Sequence, residues 1–236
     1  QIRSSAASDV YKRQHKIFNG KFIIDGVEKN ESLFDLIKLT SKKNKNFIIS
    51  AYSDNVAFIN GPIIKQFQPK KGDEASYFIT KQIESIISLK AETHNFPTTV
   101  EPYNGAATGS GGEIRDRAAG GTGSLPLIGS AVYMTPYPRL NAKKIWEKNI
   151  KERNWKYQTP ADILIKASNG ASDFGNCFGQ PLIVGSLFTF EHKEGDEIHS
   201  YDKVIMLAGG VGYGELNQSM KGKPKKGDII VLLGGD

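Results

Sequence analysis

One stretch of the sequence, Lys90 to Asp116, constrains the chain more than any other, because it joins ionisable side chains to a run of glycines. An apolar segment leads into it as a strand, and the alternation of a strand places Lys90, Glu92 and His94 on one face. Pro97 then ends the strand, since proline has no amide hydrogen to donate to a ladder. A cation, a carboxylate and an imidazole are therefore predicted to point the same way.

The second half of this stretch is a run of small residues, Gly105 to Gly112, which would let main-chain amides approach a phosphate. By themselves the glycines favour an ordinary flexible loop. The run is not a P-loop, because no Lys follows it, and a dinucleotide fingerprint fails at Ile114. Four reactive side chains around the run, those of Glu92, His94, Arg115 and Asp116, shift the interpretation towards a ligand site.

The motifs ETHNFPT and GAATGSGGEIRD resemble those of the phosphoribosylformylglycinamidine synthase family, ATP- and glutamine-dependent enzymes of purine biosynthesis. The resemblance is to the large single-chain form and extends from Gln14 onward through ILIKASNGASDFGNCFGQPL, YDKVIMLAGGVGYG and KKGDIIVLLGGD. Many relatives carry a second His where Phe96 stands, so the proton chemistry is assigned to His94 alone.

The resemblance implies a role for each matching residue. Lys90 would contact an ATP phosphate, Glu92 and Asp116 would hold magnesium, and His94 would transfer a proton. The implied substrate contacts are Thr93, His94, Asn95, Phe96 and Arg115. The implied ATP contacts are Lys90, Gly105, Ala106, Ala107, Thr108, Gly109, Ser110, Gly111, Gly112, Glu113, Ile114, Arg115 and Asp116.

The implied reaction is amidine formation with two cofactors, ATP and Mg²⁺. The formamide-type oxygen of formylglycinamide ribonucleotide is phosphorylated, and ammonia supplied by a glutaminase domain then displaces phosphate. In such a transfer the protein mainly positions groups and neutralises charge. Carboxylate oxygens suit Mg²⁺, and an imidazole can accept a proton from attacking ammonia.

The resemblance also implies a fold of the α+β and α/β kind, similar to aminoimidazole ribonucleotide synthetase. Residues 15–157 would form the α+β first domain, whose sheet pairs with a homologous domain, and residues 158–236 the start of an α/β second domain. Residues 1–14 do not resemble the family and are interpreted as an artefactual leader. Relatives carry Ser-Glu-His-Cys just before the equivalent of His15, where this chain has Tyr11, Lys12 and Arg13. The second domain would also be incomplete, and Cys177 lies in the synthetase part and is not a glutaminase nucleophile. For these three reasons we expect the chain alone neither to make the amidine nor to release ammonia.

Local patterns predict several further elements. Ser32 and Thr159-Pro160 are typical of helix starts, and Ile128–Met134 is typical of a buried strand. The remaining predictions are a helix over Tyr77–Ser85, a glycine-rich turn over Asn169–Gly175, a glycine loop over Gly209–Gly214 and a strand over Ile229–Leu233.

Composition argues against several functional classes. The net charge is +6, but the lysines are dispersed and no aromatic residues alternate with them, so we expect no nucleic-acid partner. No apolar run approaches the length that crosses a bilayer, so we expect no membrane span. A single cysteine, Cys177, fits a reducing compartment, and a cytoplasmic location is expected.

Two alternative functions remain open at this level. One is a nucleotide-binding scaffold without catalysis, and the other is a different ATP-using enzyme of the same superfamily, which the pairing of ETHNFP with GEIRD argues against. His192 and His199 flank an acidic turn, where a solvated hairpin is favoured over a metal site. Asp173, Asn176 and Gln180 match a recurrent family segment but receive no role.

Overall fold

The computed structural model describes residues 15–44, 47–72, 74–140 and 144–235. The leader proposed for Gln1–Gln14 lies outside these residues. The chain divides into two compact units, Gln1–Ile48 and Ile49–Asp236. The candidate site lies in the second unit.

The first unit contains few regular elements. They are a helical turn over residues 15–18, a hairpin of β1 (Ile23–Ile24) and β2 (Val27–Glu28), and helix α1 (Leu33–Lys43). Helix α1 starts as predicted, because the Ser32 hydroxyl accepts a hydrogen bond from the Asp35 amide at 3.1 Å and the Asp35 carboxylate accepts from the Ser32 amide. This reciprocal capping satisfies two amides that the helix itself leaves unpaired.

The second unit is built on a mixed six-stranded sheet, which confirms the predicted α+β class. Its strands, in the order in which they pair, are β3 (Ile48–Ser50), β4 (Ala57–Pro69), β5 (Phe78–Thr93), β10 (Ile205–Glu215), β6 (Leu125–Thr135) and β7 (Leu182–Thr189). The pairs from β4 to β6 are antiparallel, whereas β6 and β7 run parallel. A separate hairpin joins β8 (Glu191–Glu194) to β9 (Glu197–Ser200).

Three helices follow the sequence motifs of this unit. They are α2 (Asn95–Val100), α3 (Pro102–Ala119) and α4 (Pro160–Cys177). Helix α4 begins as predicted, with Thr159 as its cap and Pro160 in its first turn. Within the part of the chain that the structure describes, no helix has the length and apolar character needed to cross a bilayer.

Helices α3 and α4 pack together, and small side chains form the core between them and the sheet. Ala106 of α3 and Ala167 of α4 are fully buried, as are Ala208 and Met206 of β10. Small side chains allow a close approach of the helix and strand backbones. The close approach matters for function because it also brings the side chains of α3 against those of β5.

Part of the other face of the sheet is largely apolar and is not lined by α3 or α4. Leu89 and Ala91 of β5, Val211 of β10, Ile128 of β6 and Val184 of β7 contribute to a hollow of about 430 Å³ on this face. The family resemblance predicts that this sheet pairs with a homologous domain, and an apolar face is suited to such a contact. The pairing itself stays a prediction.

Several local predictions are wrong. Tyr77–Ser85 was predicted as a helix, but Phe78 begins the long strand β5, which pairs with β4 along its length. The ring of Phe78 lies 5.0 Å from that of Phe67 across this pair. Such cross-strand contacts, which come from a distant segment, override the local preference for a helix.

Three glycine-rich or apolar segments also differ from their predictions. The glycines of Gly209–Gly214 lie within strand β10, and the predicted turn at Asn169–Gly175 lies within helix α4. Ile229–Leu233, predicted as a strand, joins no ladder among the described strands, and its side chains are exposed. A strand needs a neighbour to satisfy its main-chain groups, and none of the described segments pairs with this one.

The domain boundary near Gln158 stays a prediction. Strands from both sides of it, β6 before and β7 and β10 after, share the same sheet. The residues that follow β6 include a 3₁₀ turn at Ile145–Asn149.

Candidate functional site

The candidate site lies where strand β5 faces helix α3. The Lys90 ammonium is 2.8 Å from Asp116 Oδ2 and 3.9 Å from Glu92 Oε2, so it bridges two carboxylates that come from a strand and a helix. The three side chains are between 18% and 29% exposed, which leaves them accessible to a ligand while limiting their contact with water. The predicted common face of β5 is therefore present.

Glycines of α3 allow the helix to lie close to β5 and to the residues that follow it. A Cβ atom placed on Gly112 would collide with the Glu92 carboxylate, and one on Gly109 would lie 2.9 Å from His94 Cβ. Gly105 is similarly close to the Pro97 carbonyl group of α2. Each of these glycines thus sits opposite a residue of the ETHNFP motif, and a side chain at any of them would push the helix away.

The predicted glycine loop is therefore wrong in its local structure. Residues Gly105–Gly112 lie inside α3, where each main-chain amide is committed to a carbonyl one turn earlier. A helix interior cannot offer the row of free amides that a phosphate cradle requires. The glycines serve the packing of the helix against the strand.

His94 directly follows β5 and precedes α2. Its amide donates to the Met206 carbonyl at 2.9 Å, and its carbonyl accepts a hydrogen bond from the Thr98 hydroxyl. Its Nδ1 atom is buried and has no hydrogen-bond partner among the described residues. The backbone of His94 is therefore held on both sides, while the Nδ1 atom of its ring makes no hydrogen bond to the described residues.

Several residues assigned to the nucleotide are buried in the core. Ala106, Ser110, Glu113 and Ile114 are at most 4% exposed, so they do not present a surface to a ligand. Gly105, Gly109 and Gly111 are buried as well, Ala107 and Gly112 are half-buried, and Thr108 is exposed. The accessible residues of the proposed set are therefore fewer than the sequence motif suggests.

The residues assigned to the substrate have mixed environments. Asn95 Oδ1 accepts a hydrogen bond from the Met206 amide at 3.1 Å, so this side chain is occupied in holding the strand. Phe96 is half exposed and meets Tyr157 edge to face, with ring centroids 6.1 Å apart. Thr93 is exposed at the end of β5.

Arg115 does not share the surroundings of Lys90. A Cβ atom on Gly111 would lie 2.7 Å from both Arg115 Nη1 and Phe174 Cζ, so the guanidinium lies back along α3 beside a ring of α4. Arg115 is exposed. A role in binding an anion beside Lys90 would require its side chain to change rotamer.

Two residues next to the site, Arg117 and Gln180, were not assigned a role from the sequence. Arg117 Nε donates to Glu113 Oε2 at 2.7 Å, and both side chains also bond to Gln180. The spacing of Glu113 and Arg117, one helical turn apart, is a signal for such a pair. Burial raises the pKa of the Glu113 carboxyl, and the nearby Glu92 charge raises it further against the lowering effect of Gln180 and Arg117.

A second carboxylate, Asp54, is held by three donors near the end of α3. Lys221 Nζ lies 2.7 Å from Asp54 Oδ1, and the amides of Asn55 and Gly121 donate to the same carboxylate. The hydrogen bond from Lys221 is the main reason why the pKa of Asp54 is lowered. This carboxylate fastens the loop before β4 to the turn after α3.

The comparison with known sequences identifies a clear relative. The phosphoribosylformylglycinamidine synthase of Dictyostelium discoideum is 38% identical to this chain over 226 residues, which is 94% of the chain. The chain spans only 16% of that relative's length. No protein-family model matches the chain. Identity of this extent shows that the chain is homologous to a segment of that synthase, as the motifs predicted.

Solved structures give weaker likenesses. PurLQS from Thermotoga maritima has a TM-score of 0.47 and 10% identity, covering 83% of this chain and 26% of that one. PurL of the same organism, complexed with ADP, has a TM-score of 0.40 and 19% identity, covering 75% and 21%. AaThiL complexed with AMPPCP and TMP has a TM-score of 0.41 and 14% identity, covering 77% and 42%. At these TM-scores none of the likenesses bears on the function of this chain.

Proposed function

We propose that this homologue of a phosphoribosylformylglycinamidine synthase segment carries the ATP-binding part of that ligase. In this reaction formylglycinamide ribonucleotide, ATP and ammonia give formylglycinamidine ribonucleotide. The observation that carries the proposal is the contact of Lys90 with Glu92 and Asp116. This contact lies in a chain of which 94% aligns with the synthase at 38% identity. The proposed fold is correspondingly similar to aminoimidazole ribonucleotide synthetase.

The charged residues of the site suit a nucleotide phosphate and magnesium. Lys90 supplies a positive charge to a phosphate, and Glu92 and Asp116 supply hard oxygen donors. Among the described residues no three His, Cys, Asp or Glu side chains group as a complete metal site. Two carboxylates still fit Mg²⁺, which commonly takes one or two from the protein and its other oxygens from phosphates and water. Bound Mg²⁺ would neutralise charge on the phosphates.

His94 is proposed to accept the proton that attacking ammonia loses. His94 packs against Gly109 of α3, three residues before Gly112, which packs against Glu92. The buried Nδ1 of His94 has no partner among the described residues. A positioned imidazole of this kind contributes to catalysis through proton transfer at the reacting atom. Arg115 is proposed to reach the anionic group of the substrate after rotating away from Phe174.

Three further features of the ligase are part of the proposal. A glutaminase domain supplies the ammonia, as expected for a glutamine amidotransferase. The apolar hollow around Leu89 and Val211 receives the sheet of a homologous domain. The protein acts in the cytoplasm, and neither nucleic acid nor membrane is a partner.

A nucleotide-binding scaffold without catalysis is the second candidate. It is favoured by the burial of Ser110, Glu113 and Ile114, because an active site that used the whole motif would expose more of it. Titration of MgATP into a full-length synthase carrying this segment, followed by a phosphate-release assay with substrate and ammonia, separates the candidates. The ligase proposal expects both binding and release, and Lys90→Met should weaken binding at least tenfold, whereas Lys193→Met on the β8–β9 hairpin should not. Binding without release supports the scaffold.

A further inference from the structure

Beside the candidate site, three buried side chains form a closed ring of hydrogen bonds. The side chains of Glu113 and Arg117 are each 1% exposed, and Gln180 is 2% exposed. Arg117 donates through Nε to Glu113 and through Nη2 to Gln180 Oε1, and Gln180 Nε2 donates to Glu113 Oε1. Each member therefore bonds to the other two. We call this group the polar clamp.

Glycines in the sheet provide the space that the polar clamp occupies. A Cβ atom on Gly210 would lie 2.5 Å from Arg117 Nη2 and 2.6 Å from Glu113 Oε2, and one on Gly129 would lie 2.8 Å from Gln180 Nε2. Gly210 pairs with Gly129 on one side and with Lys90 on the other. The clamp is thus seated on the same row of the sheet from which Lys90 extends.

Along α3, each residue of the polar clamp directly follows a residue that contacts the candidate site. Glu113 directly follows Gly112, which packs against Glu92, and Arg117 directly follows Asp116, which pairs with Lys90. A rotation or shift of the helix that moved Glu113 and Arg117 would therefore move these neighbours with them.

Gln180 connects the helix to a third element. Its main-chain amide donates to the Gly175 carbonyl at 2.8 Å, near the end of α4. The carbonyl of the next residue, Pro181, accepts from the main-chain amide of Gly129 in β6 at 2.9 Å. Through Gln180, the clamp therefore links α3 to the end of α4 and to β6. Breaking a buried charged pair is costly, because the remaining charge has no partner.

From this placement we propose that Glu113, Arg117 and Gln180 are positioning residues, which set α3 against β5 and thereby set the contact of Lys90 with Asp116 and the orientation of Glu92. They touch neither nucleotide nor metal. The inference rests on the proposed function only where ATP is concerned, since the effect on Lys90 is a property of this chain.

Exchanging the acid and the amide within the ring tests the proposal. Glu113→Gln leaves the Arg117 charge unbalanced, and Gln180→Glu adds a second buried carboxylate. The double variant Glu113→Gln/Gln180→Glu again has one acid, one amide and one guanidinium. Each single variant should shift the side-chain NMR resonance of Lys90 in isotope-labelled chain and raise the KM for ATP at least tenfold in a full-length synthase carrying this segment. The double variant should return both measurements to within about threefold of wild type.

The matched control is Ile163→Ala, which removes a buried side chain of α4 outside the clamp. It should lower the urea midpoint of unfolding while leaving the Lys90 resonance and the KM for ATP unchanged. If the double variant does not fold, Gly210→Ala replaces it, because its methyl group presses on Glu113 and Arg117 without changing any charge. This variant should reproduce the shift of the Lys90 resonance.

Two results would overturn the proposal. Single variants that lower the urea midpoint but leave Lys90 and the KM unchanged would limit the clamp to holding the fold. A folded double variant as impaired as Glu113→Gln would show that the charge of residue 113 itself acts on the ligand. If the wild-type synthase did not use ATP, the proposed function would fail, and the Lys90 resonance would still decide the role of the clamp.

Discussion

The Lys90 ammonium lies 2.8 Å from Asp116 Oδ2, and this contact joins β5, the longest strand of the sheet, to helix α3. Both side chains are partly open to solvent, and ion pairs in such surroundings contribute at most about 1 kcal/mol to stability. The contact therefore contributes more to the arrangement of charge at the site than to the stability of the fold. Its consequences should be visible mainly in ligand binding.

Replacing Asp116 by Asn should weaken MgATP binding about tenfold or more, because it keeps the shape of the side chain and removes a charge from the proposed magnesium site. Calorimetric titration of a full-length synthase carrying this segment measures the effect. Asp196→Asn, the same change on an exposed hairpin, is the control and should bind normally. Unchanged affinity and metal dependence in Asp116→Asn would leave Asp116 with a structural role.

His94→Ala should lower turnover with free ammonia by roughly two to four orders of magnitude, the usual contribution of a general base. ATP binding should largely survive, since the ring is not assigned to the nucleotide. Steady-state assays with saturating ammonia in a full-length synthase provide the measurement. His199→Ala on the exposed hairpin should retain activity, and near-normal turnover in His94→Ala would remove the proton-transfer role.

Gly105→Ala should destabilise the second unit by about 1 to 3 kcal/mol, the usual cost of forcing an added methyl group into a packed interior. The new Cβ would collide with the Pro97 carbonyl group, which belongs to the main chain and cannot rotate away. Urea unfolding of the chain measures the loss. Gly222→Ala has nothing within 4 Å of the new atom and should leave stability almost unchanged. Equal stability of the two variants would contradict the packing role.

Asp54 should make stability depend on pH in the acidic range. Lys221 lowers the pKa of Asp54 in the folded chain. The contribution of Asp54 to the free energy of unfolding is therefore fully present above the ordinary carboxyl pKa and is lost as the pH falls through the lower pKa of the folded chain. Asp54→Asn should therefore cost about 1 to 2 kcal/mol at pH 7 and progressively less below about pH 4. Urea unfolding across this range measures the difference, and Lys221→Met should reduce the same pH dependence. A difference that stays constant with pH would exclude this linkage.

The apolar face around Leu89 and Val211 should make the isolated chain self-associate. Light scattering should give a mass above that of a monomer at micromolar concentration. Leu89→Lys/Val211→Lys should reduce this mass, because two charges would have to be buried in the contact. Ile145→Lys, at a side chain that is 81% exposed outside the sheet, should not change it. A monomeric wild-type chain would contradict this use of the face.

The sequence predicts the fold best where a local signal decides the structure. Ser32 and Thr159 start their helices because their side chains satisfy nearby amides, and that chemistry depends only on adjacent residues. Alternation likewise predicts the shared face of Lys90 and Glu92, since the geometry of a strand requires it.

The prediction fails where contacts with distant segments decide the structure. Gly105–Gly112 has the composition of a loop, but it lies within helix α3. There Pro97, His94 and Glu92 leave no room for side chains at the glycines that face them. Gln180 could not be linked to Arg117 from the sequence, because 63 positions separate them. Spacing on one helix reveals a pair such as Glu113 and Arg117, but not the third member that comes from another element.

The four glycines of α3 bear on how the protein folds. Each weakens an isolated helix by about 1 kcal/mol relative to alanine, so a peptide of residues 102–119 should be largely unstructured in water. Its helical form then depends on docking against β5 and β10, strands that lie far apart in the sequence. The step that orders α3 is also the step that brings Asp116 to Lys90. No partly folded state with a loose α3 would carry an assembled site, so the binding competence of this unit should appear only late in folding.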